Sequence, residues 1–165
     1  MSTSEGKKRF DCFLTHDWGQ GLKNHEKVRR INRALESHGL VTWFDEDRIV
    51  GDVVAKMVEG IENSSMALVF ITEAYLNKVR QSDHRDNSKF EFNHCINFGC
   101  DMIPIVMEAG VRNQTKWTGR VGVALGTSLY VDFSSAFDDN NLFDDKIKVL
   151  ISVISKKPIL FFRNP

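Results

Sequence analysis

The run Met66-Ala67-Leu68-Val69-Phe70-Ile71-Thr72 limits what this chain can fold into more than any other segment. It is apolar without alternation, the pattern of a central strand covered on both faces. A strand of that kind needs helices above and below it, and so points to a parallel sheet. The rest of the chain supplies them. Phe10 to Thr15 reads as a first strand, and Val28, Ile31 and Leu35 as a helix closed by Gly39. Leu40 to Phe44 is a second strand, and Asp45 to Asp52 a charged loop whose last residue suits an N-cap. Val54, Met57, Val58 and Ile61 then sit at i, i+3, i+4 and i+7 of a second helix.

After the central strand, Tyr75 to Arg80 adds a helical turn and Gln81 to Asn87 a polar loop. A helix opens near Ser88 and ends near Gly99, with Ser88, Phe92, Cys95, Ile96 and Gly99 on one stripe. Met102 to Met107 is a fourth strand, in which Pro104 favours an irregular or less central place. Glu108 to Gly126 is loop-rich, and Leu129 to Asp132 is a short fifth strand. Ile147, Leu150, Ile151 and Ile154 mark a closing helix. The expected division is a polar segment 1–8, a domain 9–157 and an apolar tail 158–165. Five strands separated by such helices give a flavodoxin-like α/β fold, strand order 2-1-3-4-5, with helices on both faces. Ligands in these sheets bind past the carboxyl ends of the strands, where the winding reverses between strands one and three. The loops holding His16, Asp17, Trp18 and Gly19, and the segment from Thr72 through Tyr75 to Glu91, border that crevice.

Composition removes several classes. The 165 residues suit one domain, and their 22 basic and 22 acidic side chains cancel, which argues against a nucleic-acid binder held by phosphate contacts. No stretch approaches the roughly 20 apolar residues of a membrane span, and the polar start lacks a signal peptide's apolar core. Cys12, Cys95 and Cys100 are odd in number and read as free thiols in a reducing, cytoplasmic setting. Gly19 and Gly21 do not complete a dinucleotide fingerprint, because residue 24 is Asn24. His25-Glu26 and the spacing Glu91 to His94 are each half of a metal motif, so no metal site is expected. Cys95 lies on the apolar stripe and reads as core.

Glu91 is the residue with a chemical signature. It falls at the margin of a core-facing stripe near the start of a helix, a place packing explains poorly. Either it complements the helix dipole or it faces a ligand.

Four segments in order resemble the Toll/interleukin receptor/resistance (TIR) domain. Asp11-Cys12-Phe13-Leu14-Thr15-His16-Asp17 is similar to its first box. Trp43-Phe44-Asp45-Glu46-Asp47-Arg48-Ile49-Val50-Gly51-Asp52 resembles its second box and loop. Ile61-Glu62-Asn63-Ser64-Ser65 resembles the step into its central strand, and the fourth segment is that apolar strand itself. The resemblance implies that NAD is a substrate rather than a cofactor, cleaved at the nicotinamide–ribose bond with Glu91 as the catalytic carboxylate. It also implies a crevice facing the substrate with His16, Asp17, Trp18, Gly19, Asp45, Arg48, Ile49, Tyr75 and Asn87. Asp45, Glu46, Asp47, Arg48, Ile49, Val50, Gly51 and Asp52 become an assembly loop for homotypic association. NAD-cleaving members commonly carry Trp four residues before the catalytic Glu, and here that position is Asn87. Trp18, Trp43 or Tyr75 could supply the missing platform, with Trp43 equally suited to the core. His16 either meets substrate or ends its loop with a hydrogen bond, and Arg48 is either a solvated charge or a contact for a phosphate or a neighbouring subunit. With Glu91 in a crevice, its replacement should leave stability nearly unchanged.

Many TIR domains act as scaffolds without chemistry, and that is the alternative reading. A response-regulator receiver shares the strand order but needs an Asp at the end of strand three. Phe70-Ile71-Thr72 stands there, which excludes it.

Overall fold

The computed structural model describes residues 8–45, 51–81 and 86–161, with side chains through Lys156. Five parallel strands run in the order β2-β1-β3-β4-β5: β1 Phe10–Thr15, β2 Thr42–Trp43, β3 Ser64–Ile71, β4 Asp101–Val106 and β5 Val131–Asp132. Six helices connect and cover them: α1 Lys23–Ser37, α2 Val53–Glu62, α3 Glu73–Arg80, α4 Asn87–Phe98, α5 Gly119–Leu125 and α6 Asn140–Phe161. The sheet order is the one the sequence implies.

β3 is central because both its faces are apolar. Met66, Leu68 and Phe70 point to one side, where they meet Val28, Ile31 and Leu35 of α1 and Ile147, Leu150 and Ile154 of α6. Val69 and Ile71 point to the other, against Tyr75, Leu76 and Val79 of α3, Phe92 of α4, and Val121 and Leu125 of α5. Ala67 meets Phe13, Ile61 and Cys95 on that second side. The period-two alternation of a strand thus feeds two helical layers from one sequence run. Cys95 lies in that core, and Cys12, Cys95 and Cys100 are free thiols.

Four local differences from the sequence pattern have physical reasons. β2 shrinks to two residues, its start set by the Asp11 carboxylate, which accepts from the Val41 amide at 2.7 Å. α2 buries Met57, Gly60 and Ile61, whereas Val54 is 51% exposed and Val58 half-buried. Gly60 sets that rotation, because the Trp43 ring packs where its Cβ would be, 2.8 Å away. Pro104 lies inside β4, but β5 reaches only Ile105 and Val106, so β4 has one neighbour at the proline. Leu129 is 96% exposed and outside β5, and the loop-rich stretch before it contains α5.

Caps place the helices bordering the crevice. Asp52 accepts from the Ala55 amide and starts α2, as its position in the sequence suggests. Thr72 caps α3 through the Tyr75 amide, and Asp86 caps α4 through the Lys89 amide at 3.2 Å. Gly99, at φ 77°, ends α4 in the left-handed conformation that glycine adopts without cost. No helix among the described residues is long and apolar enough to cross a membrane.

Candidate active site

The carboxyl end of β1 opens into a cavity of about 450 Å³ lined by Leu14, His16, Trp18, Asp45, Val53, Lys78, Asp86, Asn87, Ser88 and Glu91, with the segments that follow β2 and β3 supplying Asp45, Val53 and Lys78. It lies at the switch point that the strand order defines. Each wall comes from a different element. His16 and Trp18 follow β1, Asp45 follows β2, Lys78 is on α3, and Asn87, Ser88 and Glu91 occupy the first turns of α4. Ser88 Oγ lies 3.4 Å from the His16 carbonyl, bringing the start of α4 beside the end of β1.

Glu91 is 7% exposed, and Thr15 Oγ1 donates to its Oε2 at 2.6 Å. Tyr75 Oη lies 3.0 Å from the same hydroxyl, and both Thr15 and Tyr75 are fully buried. Burial raises the Glu91 pKa to about 8, with Asp45 and Asp86 adding to the rise and the Thr15 hydrogen bond opposing it. Glu91 lines the cavity as expected, but its carboxyl is buried, so the expectation that its replacement leaves stability nearly unchanged gives way to a buried acid that costs stability when ionised.

His16 belongs to a chain of aromatic contacts. Its Nε2 is 2.7 Å from His25 Nδ1, and His25 is itself stacked on Trp18 with ring centroids 4.2 Å apart. Phe44 stacks against both histidines. Burial, and then the neighbouring His25, lower the His16 pKa to about 3, so His16 is neutral. Arg29 lies 3.3 Å from His25 Nε2 and can only donate there.

Among the described residues, Lys78 is the cation of the cavity wall. Its Nζ is 2.5 Å from Asp17 Oδ1 and 3.7 Å from Asp86 Oδ2. Asp17 is buried, and its other oxygen accepts from the Gly19 amide at 2.9 Å. One lysine therefore ties the loop after β1 to the N-cap of α4.

His16, Trp18, Asp45, Asn87 and Glu91 thus meet in one cavity, as the topology implies. Three expected substrate-facing residues stand elsewhere. Tyr75 is sealed beneath the cavity and reaches it only through Thr15. Asp17 and Gly19 line an adjoining cavity of about 330 Å³ with Lys23, Asn24 and Glu108. Arg48 and Ile49, like Glu46, Asp47 and Val50 of the assembly loop, lie outside the described residues. Gly51 and Asp52 lead into α2. Trp43 packs on Phe13 with centroids 4.6 Å apart and is a core residue. Sequence reasoning missed Lys78, Asp86, Val53 and Ser88 as site residues, because their convergence is tertiary; the one local signal that could have singled out Asp86 is its N-capping of α4, which the polar-loop reading of Gln81 to Asn87 passed over. Among the described residues no group of three His, Cys, Asp or Glu is placed to hold a metal, and His94 instead lies 3.2 Å from Glu62.

The parallel sheet and its strand order define a flavodoxin-like α/β protein with a carboxyl-bearing cavity at the switch point. The TIR-domain family model matches residues 13–148, and the chain belongs to that family. Among solved structures, the TIR domain of the Toll-related receptor TRR-2 from Hydra magnipapillata is 17% identical, with TM-score 0.57, over 88% of this chain and 98% of that one. A TIR-STING receptor from C. gigas in complex with 2',3'-cGAMP is 17% identical, with TM-score 0.59, over 87% of this chain and 40% of that one. The TIR domains of the activated Roq1 resistosome, described as directly recognizing the pathogen effector XopQ, are 13% identical, with TM-score 0.56, over 88% and 99%. At these identities the likeness is one of fold. No curated protein matches the sequence.

Proposed function

We propose that this chain is an NAD glycohydrolase, cleaving the nicotinamide–ribose bond to release nicotinamide and ADP-ribose or a cyclised form of it. The observation that carries this reading is Glu91, a carboxyl held by Thr15 in the wall of the switch-point cavity. Nicotinamide leaves as a neutral pyridine, so no acid need protonate it. What must be stabilised is the positive charge that develops on the ribose, and one ionised carboxylate supplies that stabilisation. Asp45 and Asp86 add negative character to the same cavity, while Lys78 is paired with Asp17 and Asp86. Such a lining suits the cationic nicotinamide ribosyl half of NAD. A bound cation favours ionised Glu91, so substrate entry and loss of the Glu91 proton are coupled.

Trp18 supplies the stacking surface that Asn87 lacks, backed by His25. Arg48 and Ile49, from the sequence that follows Asp45, are the further substrate contacts in this proposal. Activity depends on homotypic association through the loop from Asp45 to Asp52 and the exposed start of α2. Val54, half-exposed on the first turn of α2, supports that surface and equally supports a scaffold that associates without chemistry. Incubating concentrated protein with NAD separates the two: nicotinamide appears with wild type and not with Glu91→Ala if the domain is an enzyme, and with neither if it is a scaffold alone.

A further inference from the structure

We infer that Thr15 and Tyr75 are positioning residues that form a one-way hydrogen-bond relay, Tyr75 to Thr15 to Glu91, holding the Glu91 carboxyl in one orientation with Oε1 left for the substrate. The inference rests on the reading of Glu91 as the catalytic carboxylate. The geometry fixes the direction. Thr15 Oγ1 carries one proton and touches two groups, Glu91 Oε2 at 2.6 Å and Tyr75 Oη at 3.0 Å. If that proton pointed to Tyr75, the Tyr75 hydroxyl hydrogen would have no acceptor among the described residues while fully buried. An orphaned buried donor is the costly arrangement, so Tyr75 donates to Thr15 and Thr15 donates to Glu91. A buried relay of this kind strengthens the terminal donor.

The relay has a consequence for charge. A hydrogen bond donated to a carboxylate favours its ionised form. It acts against burial and against the acidic neighbours Asp45 and Asp86. Among the described residues, the other charged or titratable groups around Glu91 are Lys78 from α3, already paired with Asp17, neutral His16 from the end of β1, and the Cys95 thiol one turn along α4. None of these donates a hydrogen bond to Glu91 among the described residues. Thr15 is thus the group that makes an ionised Glu91 accessible near neutral pH, and Tyr75, far from ionising in its buried site, keeps the proton it must donate.

Two readouts test the relay, one of them independent of catalysis. The first is the pH dependence of kcat/KM for NAD, which reports the free-enzyme ionisation of Glu91. Thr15→Val should move its midpoint up by about one unit, lowering the rate at pH 7 roughly tenfold. Thr15→Ser keeps the hydroxyl and should restore the wild-type midpoint, while Tyr75→Phe should shift it in the same direction by less. The second is the pH at which the stability gap between each protein and its Glu91→Gln derivative stops growing, read from thermal melts, which tracks the same ionisation without substrate. It should move up with Thr15→Val and return with Thr15→Ser. If Thr15→Val leaves the melting midpoint in place, or Thr15→Ser behaves as Val does, the relay is overturned. If wild type releases no nicotinamide but the melting midpoint shifts as expected, the relay stands and the glycohydrolase reading falls.

Discussion

Glu91→Gln should stabilise this protein, and increasingly so as pH rises. Glu91 is 7% exposed, and burial, Asp45 and Asp86 raise its pKa to about 8 from 4.5. The folded state therefore keeps a proton that the unfolded state has lost everywhere between those two values. Stability falls with rising pH wherever the folded state binds more protons, so the full contribution is present below pH 4.5 and is lost by about pH 8. Each unit is worth about 1.4 kcal/mol. At pH 7 wild type has given up about 3 kcal/mol, and above pH 8 about 5 kcal/mol. Glutamine keeps the shape and an acceptor for Thr15 but carries no charge to bury. For a domain of this size, 3 kcal/mol corresponds to a melting temperature about 6 to 12 °C higher for the variant at pH 7. Thermal melts of both proteins from pH 4.5 to 9 test this. The curves should nearly coincide at pH 4.5 and diverge steadily until about pH 8. Parallel curves, or a wild type that gains on the variant with pH, would refute the buried, proton-holding Glu91.

Three further outcomes follow from the same geometry. The kcat/KM for NAD should rise about tenfold per pH unit up to about pH 8 and then level off, with kcat turning at lower pH because the bound cation draws the proton away; a flat profile between pH 6 and 8 would contradict it. Trp18→Ala should raise the NAD concentration needed for half-maximal rate roughly ten- to a hundredfold, since stacking is worth about 1 to 3 kcal/mol, and unchanged affinity with a lower melting temperature would make Trp18 a packing residue over His25. Gly60→Ala would place a methyl group 2.8 Å from the Trp43 ring and should cost about 1 to 3 kcal/mol in chemical denaturation, while a neutral change would mean α2 is seated differently.

How far the sequence carries depends on what each signal reports. Periodicity reports which face of an element is apolar, so the two-sided run at β3 and the strand order were legible, as was the Asp52 cap. It does not report how one close contact rotates a helix, and so Val54 reads as core until Gly60 is seen against Trp43. The same limit governs the site. The loop after β1 and the start of α4 had to meet at the switch point, and His16, Trp18, Asn87 and Glu91 do. Depth is another matter. Tyr75 sits in a short helix whose buried face turns inward, so it acts beneath the cavity through Thr15. His25 looks in sequence like half a metal motif, yet it is a buried ring between Trp18, Phe44 and His16. Lys78 has no motif at all; Asp17 is distant from it in sequence, and Asp86, though near, lies beyond a loop that gives no sign of the pairing.

The central claim is that the Glu91 carboxylate breaks the bond between nicotinamide and ribose. Nicotinamide released from NAD at pH 8 should be quantified for wild type and for Glu91→Gln, over a range of protein concentrations, with both proteins shown to be folded. Wild type is expected to release nicotinamide, more per molecule as concentration rises. The Gln variant should fall short by about 10² to 10⁴-fold, the scale of one positioned charge. Equal rates from the two proteins would contradict the claim outright.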